Sequence, residues 1–149
     1  MKLTTLYLIV AIFSLVGCKS QRYSAQELPD EQILFGKGGG MAGAEDTYIL
    51  LENGQLFHQN SLSGTTEELE SVPEKRAQEF FGEADQINLS QMAFDRPGNF
   101  YHFLGKVDGE SKNRMVWDAS GSDAPASCTS LYKQLIAALN ESRSGGNNN

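Results

Sequence analysis

Thr47-Tyr48-Ile49-Leu50-Leu51-Glu52-Asn53-Gly54-Gln55-Leu56-Phe57-His58-Gln59, residues 47 to 59, places two aromatic and aliphatic runs on either side of Asn53-Gly54. Asn-Gly is the strongest short hairpin signal, because both central positions of the tight turn take positive φ. With a two-residue turn, Leu51 faces Leu56 and Leu50 faces Phe57. A second hairpin joins Phe100-Tyr101-His102-Phe103-Leu104 to Arg114-Met115-Val116-Trp117 across Asp108-Gly109. Upstream, Gln32-Ile33-Leu34-Phe35 is a strand that runs into the glycine-rich stretch from Gly36 to Gly43.

Between the hairpins, Ser71-Val72-Pro73-Glu74 has the spacing of a capping box with proline in the first turn, and Gly82 can supply a left-handed C-terminal residue. These predict a helix from about Val72 to Phe81 that buries Ala77, Phe80 and Phe81. Asp123-Ala124-Pro125 starts a last helix that ends near Asn140. Strands joined mainly by hairpins, with two helices, predict an α+β fold: an antiparallel sheet of about five strands with both helices on one face. Cys128, Leu131, Leu135 and Leu139 share one face of the last helix, so Cys128 reads as a buried apolar position.

The 149 residues carry 12 Lys and Arg against 19 Asp and Glu, a net charge of −7. Such a chain repels nucleic acid and anionic surfaces, and nucleic acid is excluded as a partner. The two Cys and two His, at 18, 128, 58 and 102, are too widely separated to have the ligand spacing of a structural zinc site. The apolar run from Leu6 to Val16 is too short to span a bilayer and has the length of a signal-peptide core. Leu15-Val16-Gly17-Cys18 resembles the lipobox of bacterial lipoproteins, which implies cleavage after Gly17 and acylation of Cys18; the alternative is an ordinary secretory signal. Lys19 is not the aspartate of inner-membrane retention, and Ser20-Gln21-Arg22 lacks an acidic export pair. The expected location is therefore the outer membrane, facing the periplasm, with the lipid on Cys18 as the membrane attachment. The chain divides into a signal peptide (1–17), a lipidated polar tether (18–29), one domain (30–141) and a disordered tail (142–149).

Catalytic signatures are weak. Gly38-Gly39-Gly40-Met41-Ala42-Gly43 has the letters of G-x-G-x-x-G, but Glu45 and Asp46 and a strand follow where a helix N-terminus has to meet the phosphates. His58 and His102 read as strand residues, and no Gly-x-Ser-x-Gly is present. No cofactor, metal or enzymatic activity is expected.

Many glycines in one connection are conformationally expensive, and a flexible loop or a recognition element presenting Met41 both account for them. Phe35 followed by Gly39-Gly40-Met41-Ala42-Gly43 is similar to the opening strand and bend of emfourin-like proteins, small inhibitors of thermolysin-like metalloproteases; Met41 stands where those have an aromatic residue. The later order, with Asp95, Phe100, Tyr101, the strand Met115-Val116-Trp117-Asp118 and Leu131 to Leu135 in a helix, is also similar. With the lipid anchor read from the lipobox, which emfourins lack, the resemblance implies a monomeric protein-binding domain whose contact residues are Gly38, Gly39, Gly40, Met41, Ala42 and Gly43, with a secreted or envelope protease as partner. The alternative is an envelope lipoprotein with a structural or assembly role.

Overall fold

The computed structural model describes residues 21–121 and 123–145. The signal peptide, the lipobox with Cys18 and the last four residues lie outside them. Seven strands form one sheet: β1 (Glu31–Gly39), β2 (Ala44–Leu50), β3 (Leu56–Asn60), β4 (Thr66–Leu69), β5 (Asp95–Arg96), β6 (Phe100–Asp108) and β7 (Ser111–Asp118). Their order is β4-β3-β2-β1-β6-β7-β5, so β4 and β5 are the edges. Neighbours are antiparallel except β5, which lies parallel to β7. The fold is α+β. Seven strands in a mixed sheet replace the expected five antiparallel ones, because the two edge strands are too short and polar to show an alternating pattern.

Helix α1 (Glu74–Gln86) carries the chain from the β4 edge to the opposite half of the sheet, and α2 (Ala126–Gly145) returns across the same face. One core lies between helices and sheet: Ile33, Phe35, Tyr48, Leu50, Leu104, Met115 and Trp117 below, Phe80, Phe81, Leu131, Leu135 and Leu139 above. Cys128 is fully buried in it and its thiol donates to Met92 Sδ at 3.4 Å. Lys106, also buried, crosses to Asp85 and ties β6 to α1.

Several local expectations are corrected. The first hairpin has a three-residue loop, Glu52 to Gly54: Leu50 pairs with Leu56 and Ile49 with Phe57, and the Leu51 N–H donates to the Gln55 carbonyl at 2.9 Å, with Gly54 at φ +89°. Asn53 Oδ1 accepts from the Gln55 N–H at 2.9 Å, and this Asx-type bond favours the longer loop. The shift matters because one residue of register exchanges the faces. The Ser71/Glu74 capping box does not form; the Val72 N–H donates instead to the Gly54 carbonyl at 2.9 Å, and Pro73 occupies the cap position. Helix α1 runs through Gly82, since Ala84 still faces the core, and Asn88 at φ +53° supplies the left-handed residue that Gly82 does not.

The supposed tether is also structured from residue 21. Tyr23, Ala25 and Leu28 pack on Leu34, Ile49, Leu51 and Phe57, a second cluster on the face opposite the helices. The buried Gln55 amide holds this strap: its Oε1 accepts from the Tyr23 N–H at 2.7 Å and its Nε2 donates to the Tyr23 carbonyl at 3.0 Å. An antiparallel sheet exposing that many apolar residues needs a cover, and the strap provides it. At the other terminus α2 continues to Gly145 rather than ending at Asn140, because Arg143 reaches Tyr48, its Nη2 donating to the phenol at 3.3 Å.

Candidate functional site

The glycine stretch is mostly strand. Gly36, Gly38 and Gly39 belong to β1, at the centre of the sheet, and each faces a wall. A Cβ on Gly36 would lie 2.0 Å from the Asp46 carbonyl oxygen and 2.9 Å from the Phe103 ring; one on Gly38 would lie 2.5 Å from the Tyr101 hydroxyl. Gly36 pairs with Phe103 and Gly38 with Tyr101, so two aromatic rings of β6 lie over a strand stripped of side chains to receive them. Gly39, at φ +109°, would meet the Asn99 carbonyl at 2.1 Å. Of the expected contact residues, then, Gly38 is buried and Gly39 half-buried, both held in place by packing. They support a site rather than form its surface.

What projects is the turn Gly40-Met41-Ala42-Gly43. The Gly43 N–H donates to the Gly40 carbonyl at 3.1 Å, and the Gly40 N–H donates to Asn99 O at 2.8 Å, which fixes the turn to the strand beside it. Met41, at its apex, is fully exposed. Two more large apolar residues are exposed among the described residues, Leu62 and Phe100. Phe100 opens β6 opposite Gly39, with its ring against Gly40. Leu62 sits in the β3–β4 turn, and that turn is stapled to the base of the glycine hairpin: the Ser61 N–H donates to Glu45 O at 2.9 Å, and the Glu45 N–H to Ser61 Oγ at 2.8 Å. All three therefore occupy one end of the sheet.

The base of the hairpin is braced on both faces. On the strap face Glu45 receives a bidentate pair from Arg114, at 2.6 and 3.1 Å, and the Tyr101 hydroxyl at 2.8 Å, while Arg114 stacks 3.8 Å above the Phe103 ring. Burial raises the Glu45 carboxyl pKa, but the bonds from Arg114 and Tyr101 outweigh it and hold the group below its usual range. On the helix face Asp46 accepts from Asn60 at 3.0 Å and meets His58 Nε2 at 2.9 Å, and these bonds hold its carboxyl low. A turn held this way keeps little freedom to lose on binding.

Orientation adds a second observation. Gln21, the first described residue, accepts from Asn53 Nδ2 at 2.6 Å beside the β2–β3 turn, at the end of the sheet opposite Met41. Strand β1 alone, nine residues, separates the two ends by about 30 Å at ~3.3 Å per residue.

Among the described residues no three His, Cys, Asp or Glu side chains come together as metal ligands, and no helix is long and apolar enough to cross a membrane. His58 lies between Asp46 and Glu67 and stacks on Tyr48, whereas His102 stacks on Tyr132 at 4.9 Å. Sequence reasoning found Met41 but missed Phe100 and Leu62. Both look like ordinary strand and turn residues until the register places them beside the glycine turn. No protein-family model matches the chain, and none of the curated proteins matches it.

Proposed function

We propose that this chain is a lipid-anchored protein of the bacterial envelope, without enzymatic activity, that binds a protein partner through the Gly40–Gly43 turn, with Met41 as the anchor side chain and Phe100 and Leu62 as its apolar flanks. The observation that carries the reading is the gathering of the exposed large apolar residues on one braced end of the sheet, opposite Gln21. An anchor on Cys18, three residues before Gln21, would leave that end directed away from the lipid, towards the periplasm.

The resemblance of Phe35 and Gly39 to Gly43 to emfourins makes a thermolysin-like metalloprotease the partner to test first, with the domain as its inhibitor. Such proteases take an apolar side chain just after the cleaved bond. A methionine on a rigid turn fills that pocket while its braced backbone resists turnover.

Burying a methionine contributes about 1.5–3 kcal/mol, and loss of a central anchor costs about 2 kcal/mol or more, so Met41→Asp is expected to weaken binding by roughly thirty-fold or more. Its melting temperature should stay at the wild-type value, because the side chain touches no core. The test is hydrolysis of a peptide substrate by thermolysin with rising amounts of the chain, alongside affinity capture from envelope extract. Full protease activity at high micromolar chain rejects the inhibitor reading. Capture that is unchanged by Met41→Asp rejects the turn as a contact surface and leaves a structural envelope lipoprotein.

A further inference from the structure

Helix α2 does not close over the whole sheet. Between it and the ends of β1, β2 and β6 lies a cavity of about 390 Å³, within the size range of small-molecule sites. Its floor is aromatic and aliphatic: Tyr48, His102, Tyr132 and Ile136. The Tyr132 hydroxyl donates to the Gly36 carbonyl at 3.2 Å, so its polar atom is turned into the sheet. Its partner His102 is stacked on it, and burial and the nearby Lys37 charge both hold the imidazole pKa below its usual value.

The rim has the opposite character. Lys37 from β1 and Lys133 and Arg143 from α2 border the opening, and no carboxylate among the described residues lines it. The nearest acid across the ladder is Asp46, the register partner of Lys37, and it is already bonded to His58 and Asn60. Among the described residues none of the three cations is in an ion pair; Arg143 lies over the Tyr48 ring, 5.3 Å from its centre. Three of the 12 Lys and Arg of a chain with a net charge of −7 thus converge on one apolar mouth. Asp46 offsets part of the Lys37 charge, but the three like charges still repel one another, and an anion entering the mouth relieves that repulsion. An inorganic anion satisfies the rim alone, whereas an aryl anion also covers the floor.

The geometry points to a binding site for a small aryl carboxylate, its carboxylate held between Lys37, Lys133 and Arg143 and its ring laid on Tyr132, His102 and Ile136. The inference does not depend on the glycine turn or on any protease.

The probe is biphenyl-4-carboxylate, titrated by calorimetry into the full chain in lipid nanodiscs, with empty nanodiscs as the blank and biphenyl-4-carboxamide as the neutral analogue. One-to-one binding of the carboxylate is expected, with the carboxamide at least tenfold weaker. Lys37 and Lys133 are exposed, so Lys37→Gln and Lys133→Gln preserve the fold, which melting curves confirm; each is expected to weaken the carboxylate several-fold and leave the carboxamide unchanged. Ile136→Gln is expected to weaken both probes. Equal affinity for the two probes, no binding at 1 mM carboxylate, unchanged binding by the Lys37→Gln/Lys133→Gln pair, or displacement by equimolar inorganic phosphate would each overturn the assignment.

Discussion

A methyl group on Gly36 would sit 2.0 Å from a backbone oxygen of the adjacent strand, and that oxygen cannot retreat without opening the β1–β2 ladder. Gly36→Ala is therefore expected to lower the unfolding free energy by about 1–3 kcal/mol, the usual range for forced overpacking. Gly82 is the control, being helical with nothing within 4 Å of its added Cβ. Gly82→Ala should raise stability by about 0.5–1 kcal/mol. Urea midpoints of the two variants that move in the same direction would contradict the crowding of β1. Cys128 belongs to the same class of packed positions. Burial raises its thiol pKa, and reaction with a thiol reagent requires the helix to open first. Labelling in native buffer should be slower than in denaturant by roughly a hundredfold or more; equal rates would place the thiol at the surface.

Both hairpins and both helices are legible in the sequence, because Asn53-Gly54, Asp108-Gly109 and the Ala77/Phe80/Phe81 and Cys128/Leu131/Leu135 spacings are local signals. The three-residue loop is not, since the side-chain bond from Asn53 to Gln55 decides it. Strand β4 reads as a run of glutamates because an edge strand has little to bury, and β5 is two residues long and exists only through its pairing with β7. The strap was hidden among polar neighbours: Tyr23, Ala25 and Leu28 find a purpose only once the sheet exposes Leu34 and Phe57 to them. For the candidate site, the glycines are conspicuous, but the rings they accommodate lie more than sixty positions away and emerge only with the β1–β6 register. The brace on Glu45 is likewise long-range and gives a pH dependence. Its folded pKa lies below the ordinary glutamate value, so it stabilises the fold above the unfolded pKa, and the contribution fades as the pH falls through the lowered value. Glu45→Gln is expected to be less stable than wild type at pH 7 and to lose less stability between pH 5 and 3. Parallel melting-temperature curves over that interval would show that Arg114 and Tyr101 add nothing specific to the charged form.

For the molecule as a whole, the separation of Gln21 from Met41 acquires its meaning from the proposed acylation of Cys18. Cys18→Ala is expected to abolish incorporation of labelled palmitate and to leave an unprocessed precursor; label that survives the change would reject the lipobox assignment. Many copies fixed on one membrane share a thin layer, where neighbours meet far more often than they would free in solution. Bare strand edges in such a layer would pair from one copy to the next and grow into a fibre. The edges here offer little to pair with: β4 is four residues long and bears exposed Glu67 and Glu68, and β5 ends after two. If Cys18 is acylated as proposed, short, charged borders of this kind would let a crowded lawn of copies remain separate molecules, each with its own turn free to be met from above.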